Sequence, residues 1–96
     1  MNIERKVAII TGASQGLGAE LVRAYRNHNY RVVATSRSIA PSRDSDVLAV
    51  AGDIADPATA ARVIREALTL FGRIDTLVNN AGVFVSKPFV EFTQAD

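Results

Sequence analysis

A short β-branched run at residues 6–11 (KVAIIT) breaks into a glycine-rich octapeptide at residues 11–18 (TGASQGLG), and helical spacing follows at once. A continuous apolar run bounded by glycine reads as a strand buried on both faces. From Gly16 to about His28 the apolar positions Leu17, Leu21, Ala24 and Tyr25 recur at three and four, which is one face of a helix. The glycines at the junction limit what it can be. Gly12 allows a tight turn out of the strand, Gly16 lets backbone approach a pyrophosphate closely, and Gly18 permits close packing of helix on sheet. Unpaired N–H groups at the start of the helix favour an anion there. Three glycines would also serve a purely structural turn, and it is the strand-to-helix position that favours the phosphate reading. A nucleoside triphosphate loop is excluded, because Gly18 is followed by Ala19 and Glu20 and not by Lys and Ser or Thr.

The same alternation continues downstream. Residues 30–35 (YRVVAT) read as a second strand and residues 47–51 (VLAVA) as a third. Asp56-Pro57 supplies an N-cap followed by proline at the first helical position. The second helix then has an expected buried stripe of Ala61, Ile64, Ala67 or Leu68, and Phe71, and closes at Gly72. Residues 74–78 (IDTLV) read as a fourth strand. The stretch from Ser36 to Asp46 (SRSIAPSRDSD) is polar, short and proline-containing, so it is expected to be an irregular loop or a single turn. Strands alternating with helices predict parallel pairing in an α/β architecture, with helices covering the sheet.

Composition removes several chemistries. Eleven Lys and Arg stand against ten Asp and Glu, a net charge of +1, so no single-signed field draws in nucleic acid or an anionic membrane. There is no cysteine and one histidine, His28, which excludes a disulfide scaffold, a thiolate metal site and a histidine metal cluster. The apolar run at residues 7–10 is too short for a signal-peptide core or a membrane span, and a cytoplasmic protein is expected. Ninety-six residues hold one small domain at most.

Three motifs in order carry a resemblance. TGASQGLG after the first strand, Asp53-Ile54 after the third and Asn79-Asn80-Ala81-Gly82 after the fourth resemble the short-chain dehydrogenase/reductase family, from about Lys6 to the last residue. The resemblance implies a Rossmann-type parallel sheet with flanking helices, residues 1–96 being the N-terminal part of one dinucleotide-binding domain. It implies that Asp53 accepts a hydrogen bond from the adenine amino group and that the Ile54 main chain lines the same pocket. Ser14 and Leu17 would sit against the pyrophosphate. Residues 79–82 would run beside the cofactor ribose and brace the sheet, with Asn80, Ala81 and Gly82 nearest the ligand and Thr11 as bracing partner. On local chemistry alone, Asp53 after Gly52 also reads as an ordinary turn residue.

The end of the second strand bears on the choice of cofactor. An acidic residue there usually meets the ribose hydroxyls of NAD, whereas an arginine accommodates the 2′-phosphate of NADP. This chain has Thr35-Ser36-Arg37. No carboxylate repels a phosphate, Ser36 can donate a hydrogen bond, and the Arg37 guanidinium can form a charge-assisted fork, so NADP(H) is favoured over NAD(H). The alternative is that Arg37 is a solvated loop cation, as Arg43 is expected to be. Gln15 stands where some NADP-dependent relatives carry a second basic residue, which leaves Arg37 most of the phosphate charge. The candidate cofactor-binding set is therefore Gly12, Ser14, Gln15, Gly16, Leu17, Gly18, Ser36, Arg37, Asp53, Ile54, Asn80, Ala81 and Gly82, with no metal ligand.

Members of the family reduce carbonyls with a Tyr-x-x-x-Lys pair, and these residues contain none: Tyr25 is followed at that spacing by Asn29 and Tyr30 by Ala34. Both tyrosines are expected to pack, and His28 to sit favourably at a helix C-terminus. No catalytic residue is assigned. Residues 93–96 (TQAD) have the form of a capping box with no helix after it. The expectation is a sheet truncated after the fourth strand, with Phe84, Val85, Phe89, Val90 and Phe92 short of packing partners. The chain reads as part of a longer NADP(H)-dependent oxidoreductase acting on a small carbonyl or alcohol substrate, or as a binding module without turnover. Self-association would be a further way to cover its exposed surface. Intact mass measured from the natural source checks this: a mass well above 10.3 kDa, with a Tyr-x-x-x-Lys downstream, is expected for the enzyme, and 10.3 kDa would rule out catalysis by the family mechanism.

Overall fold

The computed structural model describes residues 5–80. Six elements follow the chain: β1 (Val7–Thr11), α1 (Gly16–Asn27), β2 (Arg31–Ser36), β3 (Val47–Ala51), α2 (Pro57–Phe71) and β4 (Thr76–Val78). The strands form one parallel sheet in the order β3-β2-β1-β4, with Ile9 paired to Val33 on one side and Leu77 on the other. This is the Rossmann-type sheet with flanking helices expected from the sequence. All of β1 is buried, as its unbroken apolar run requires of a strand with neighbours on both edges and helices over both faces.

Strand alternation divides the core in two. Ile10, Val32 and Ala34 point to α1 and meet Leu21, Val22 and Tyr25. Val7, Ile9, Val33 and Val50 point to the other face and meet Ala60, Val63, Ala67 and Phe71 of α2. Tyr25 and Tyr30 pack edge to face, with ring centroids 4.9 Å apart.

Each helix turns part of its expected face to the core, Leu21 and Tyr25 in α1 and Ile64, Ala67 and Phe71 in α2, and is rotated away from the rest of it. In α2 the buried stripe is Ala60, Val63, Ala67 and Phe71; Ala61 is exposed, Leu68 is 48% exposed and Ile64 is half-buried. The apolar surface of this helix is wide enough to allow either phase, and its first turn decides: Thr59 presses on Gly52, where an added Cβ would lie 2.8 Å from the threonine methyl. In α1, Leu17 is 67% exposed and Ala24 also faces outward, whereas Gly18 is buried. Gly18 sets this rotation. A Cβ at that position would overlap the Gly12 carbonyl oxygen, so the helix is seated through its glycine, with Leu21, Val22 and Tyr25 following on the same side.

The caps are as expected for α2. Asp56 accepts from the Ala58 N–H at 2.9 Å, Pro57 occupies the first turn, and Gly72 (φ 83°) turns left-handed with its N–H on Leu68 O. Residues 37–46 form an irregular connection without a helix.

Charge holds that connection in place. Arg5 donates to Asp46 at 2.7 Å, Arg26 donates to Asp44 at 2.7 Å and to Asp46 at 3.3 Å, and Arg31 reaches Asp46 at 3.3 Å. Arg31 also lies over the Phe71 ring, 5.3 Å from its centroid, and so links the cluster to α2. The Arg5 hydrogen bond holds the Asp46 carboxyl below the ordinary carboxylate range, and the Arg26 hydrogen bond does the same for Asp44, helped by the Asp46 N–H. Near the start of β4, Asp75 accepts from Arg73 and from the Val7 N–H, and its carboxyl is lowered chiefly by Arg73.

Lowered carboxyl pKa values contribute stability that is complete above the ordinary aspartate value of about 4 and is lost as pH falls through the folded-state values. Urea midpoints are therefore expected to stay level near neutrality and drop below about pH 4, and Asp46→Ala is expected to cost about 1–3 kcal/mol at neutral pH and to flatten the acid limb. A second pair of variants tests the glycine junction. Gly18→Ala is expected to cost about 3 kcal/mol or more because its methyl meets backbone. Gly16→Ala, at φ +60° with no atom within 4 Å of the added Cβ, is expected to cost only the left-handed strain of about 1–2 kcal/mol.

Candidate cofactor site

Because the strands are parallel, the turns that leave β1, β2 and β3 open at the same end of the sheet, where open α/β sheets bind ligands. Between them lies a cleft of about 320 Å³. Of the residues expected to bind cofactor, Gly12, Ser14, Gln15, Ser36, Arg37, Asp53 and Ile54 line it. Gly16 and Leu17 stand at the exposed first turn of α1, and Gly18 is packed beneath it. Ala81 and Gly82 lie outside the described residues, as do Phe84, Val85, Phe89, Val90, Phe92 and the segment 93–96.

The first turn of α1 is built to be open. Gly12 (φ 61°) turns the chain out of β1, and the Ala13 N–H donates to Thr35 O at 3.2 Å, tying the loop to β2. Gln15 occupies the N-cap position in extended conformation without a side-chain cap, and the first turn holds no acidic residue. The leading N–H groups of the helix thus lack the side-chain acceptor that commonly satisfies them. At α2 the Asp56 carboxylate accepts from the Ala58 N–H, and Pro57 brings no N–H to the first turn. One helix start is closed by its own sequence and the other is left for an acceptor from outside.

Residues following β4 reach back to this junction. The Asn80 amide donates to the Gly12 carbonyl at 3.1 Å, and the Thr11 hydroxyl lies 3.1 Å from Asn79 Oδ1 and 3.5 Å from Val78 O. The first and last motifs of the chain therefore share one hydrogen-bonded corner.

On the other side of the cleft, Asp53 fills the turn role its local sequence suggests. Its Oδ1 accepts from the Ala55 N–H at 3.0 Å, while its Oδ2 faces Arg37 at 3.4 Å. The Ser36 hydroxyl oxygen is buried and has no hydrogen-bond partner among the described residues. Ile54 is buried in the α2-side core. Thr35, Ser38 and Gly52 also line the cleft and lie outside the expected set. For two of them the signal was positional: Thr35 is the last buried residue of β2, and Gly52 is the residue on which α2 rests.

The geometry fits an adenine dinucleotide on three counts: an orphaned buried hydroxyl at Ser36, an open space where a Cβ on Gly16 would stand, and a start of α1 without a side-chain cap among the described residues. Among the described residues no cluster of His, Asp or Glu is arranged to hold a metal ion, and no helix is long and apolar enough to cross a membrane.

Comparison with known proteins agrees with this architecture. The family model described as short chain dehydrogenase matches residues 6–96. The 11-beta-hydroxysteroid dehydrogenase-like 3 protein of Arabidopsis thaliana is 35% identical over a stretch covering 97% of this chain and 33% of that protein. Among solved structures, 3-ketoacyl-(acyl-carrier-protein) reductase from Brucella melitensis, complexed with NADH, is 33% identical with a TM-score of 0.71, covering 78% of this chain and 35% of its own. L-sorbose reductase from Gluconobacter frateurii, complexed with NADPH and L-sorbose, is 29% identical with a TM-score of 0.70, covering 85% of this chain and 36% of its own. The chain spans about a third of the length of such relatives. Matched along its length and folded as the same parallel sheet, the chain belongs to the short-chain dehydrogenase family.

Proposed function

We propose that the chain is the cofactor-binding N-terminal part of one Rossmann domain in an NADP(H)-dependent oxidoreductase, one that moves hydride to or from a carbonyl or alcohol carbon of a small molecule. The end of β2 carries the cofactor preference. It bears no carboxylate, its Ser36 hydroxyl is buried without a partner among the described residues, and its Arg37 side chain is 81% exposed at the cleft with one long ion pair. Relatives complexed with NADH and with NADPH both occur, so the preference rests on this chain's own residues.

When bound, the nicotinamide supplies the hydride chemistry. The chain's part is to bind and orient. The open N–H groups of the first turn of α1 hold the pyrophosphate, with Ser14, Gln15 and Leu17 around it, and Gly16 lets backbone come close. Ser36 donates to the 2′-phosphate and Arg37 forks over it. Asp53 accepts from the adenine amino group above Ile54. Asn80, fixed on the Gly12 carbonyl, would stand on the ribose side of the cofactor.

A second reading is a module that binds NADP(H) without turnover. Both readings require the same cofactor. Calorimetric titration with adenosine 2′,5′-bisphosphate and with 5′-AMP tests it. The bisphosphate is expected to bind about tenfold or more tightly, and Arg37→Gln to remove most of that difference. Equal affinity for the two would overturn the NADP(H) preference, and binding of neither would overturn the cofactor reading.

A further inference from the structure

Ser36 and Ala51 are the last paired residues of β2 and β3, and the Gly52 N–H closes on Ser36 O at 3.0 Å. Arg37 and Asp53 therefore leave the sheet as neighbours, one at each rim of the cleft. They differ in freedom. The Asp53 carboxylate is anchored by the Ala55 N–H, whereas the Arg37 side chain is largely in solvent and reaches Asp53 at 3.4 Å with a single nitrogen. The residue proposed to take the 2′-phosphate is thus already held by the residue proposed to take the adenine.

We infer that Asp53 is an internal competitor for Arg37, and that it lowers the chain's discrimination between 2′-phosphorylated and unphosphorylated adenosine. The inference rests on the dinucleotide reading of the cleft. A carboxylate oxygen accepts more than one hydrogen bond, so an adenine amino group can join Arg37 at Asp53 without displacing it. A 2′-phosphate draws the guanidinium fork onto itself, and the ion pair with Asp53 is lost in that complex alone. Only the phosphorylated ligand therefore bears the cost of breaking the pair. An ion pair this exposed limits the effect to about fivefold in affinity. Specificity at this cleft is then set by two residues of opposite sign, of which the acidic one acts through the basic one.

The test is a double-mutant cycle read by calorimetry on the full chain, with adenosine 2′,5′-bisphosphate and 5′-AMP as probes. Asp53→Asn keeps an oxygen for the Ala55 N–H and removes the charge; Asp53→Ser does the same if the amide disturbs the turn. The affinity ratio of bisphosphate to 5′-AMP is expected to rise about two- to fivefold in D53N and not to rise when D53N is added to R37Q. An unchanged ratio in D53N overturns the inference. An equal rise in the R37Q background also overturns it, because the effect would then be direct repulsion between Asp53 and the phosphate. Failure of the unsubstituted chain to bind either probe is a separate result, and it overturns the dinucleotide reading itself.

Discussion

The carbonyl of Gly12 is the point on which the rest of the molecule turns. The bare Cα of Gly18 approaches it from α1, and the Asn80 amide donates to it from the segment after β4. One peptide group thereby fixes how the first helix seats on the sheet and where the last strand hands over its chain. The rotation of α1 follows from that contact: once Gly18 faces the sheet, Leu21, Val22 and Tyr25 follow into the core and Leu17 turns out to solvent. A side chain at Gly18 would raise the helix away from the strand and move its first-turn N–H groups with it.

Much of this was legible in the sequence, and the boundary between legible and hidden is physical. Gly12 could be placed because a tight turn out of a strand is a local demand that glycine meets without strain. Asp56-Pro57 and Gly72 could be placed because caps are chemistry between residues close in the chain. The rotations of the helices could not, because α2 carries apolar residues at 58, 60, 61, 63, 64, 67, 68, 70 and 71, and contacts distant in sequence, such as that of Thr59 with Gly52, select among them. The cluster of Arg5, Arg26 and Arg31 around Asp44 and Asp46 was equally hidden. Its members are distant in sequence and are brought together by strand register, and nothing in their spacing announces it. At the candidate site, Ser36, Arg37 and Asp53 were visible through their strand-end positions, but the ion pair between the last two was not.

The two helix starts show how the same fold supplies both structure and a binding surface. In α2 an acidic cap and a proline complete the first turn from within, so that end is finished as a structural element. In α1 the equivalent turn has glycines, an extended Gln15 and no cap, at the cleft rather than against the core. An incomplete first turn costs stability in isolation and gains it back from an anion. The cleft is polar along Ser14, Gln15, Ser36 and Arg37 and apolar at Ile54.

The missing helix between β2 and β3 has a consequence of its own. In its place the chain has a ten-residue loop, 37–46, whose far end is gripped by arginines at the opposite end of the sheet from the cleft. Residues at the near end, from Arg37 to Ser38, form the cleft wall, and apart from Ile39 little of the loop enters the core. The anchoring and the ligand-facing halves of the loop are thus separate pieces of chain. Substitution in the near half can therefore reshape the cleft wall without repacking the sheet, while the arginines that anchor the far half stay out of its reach.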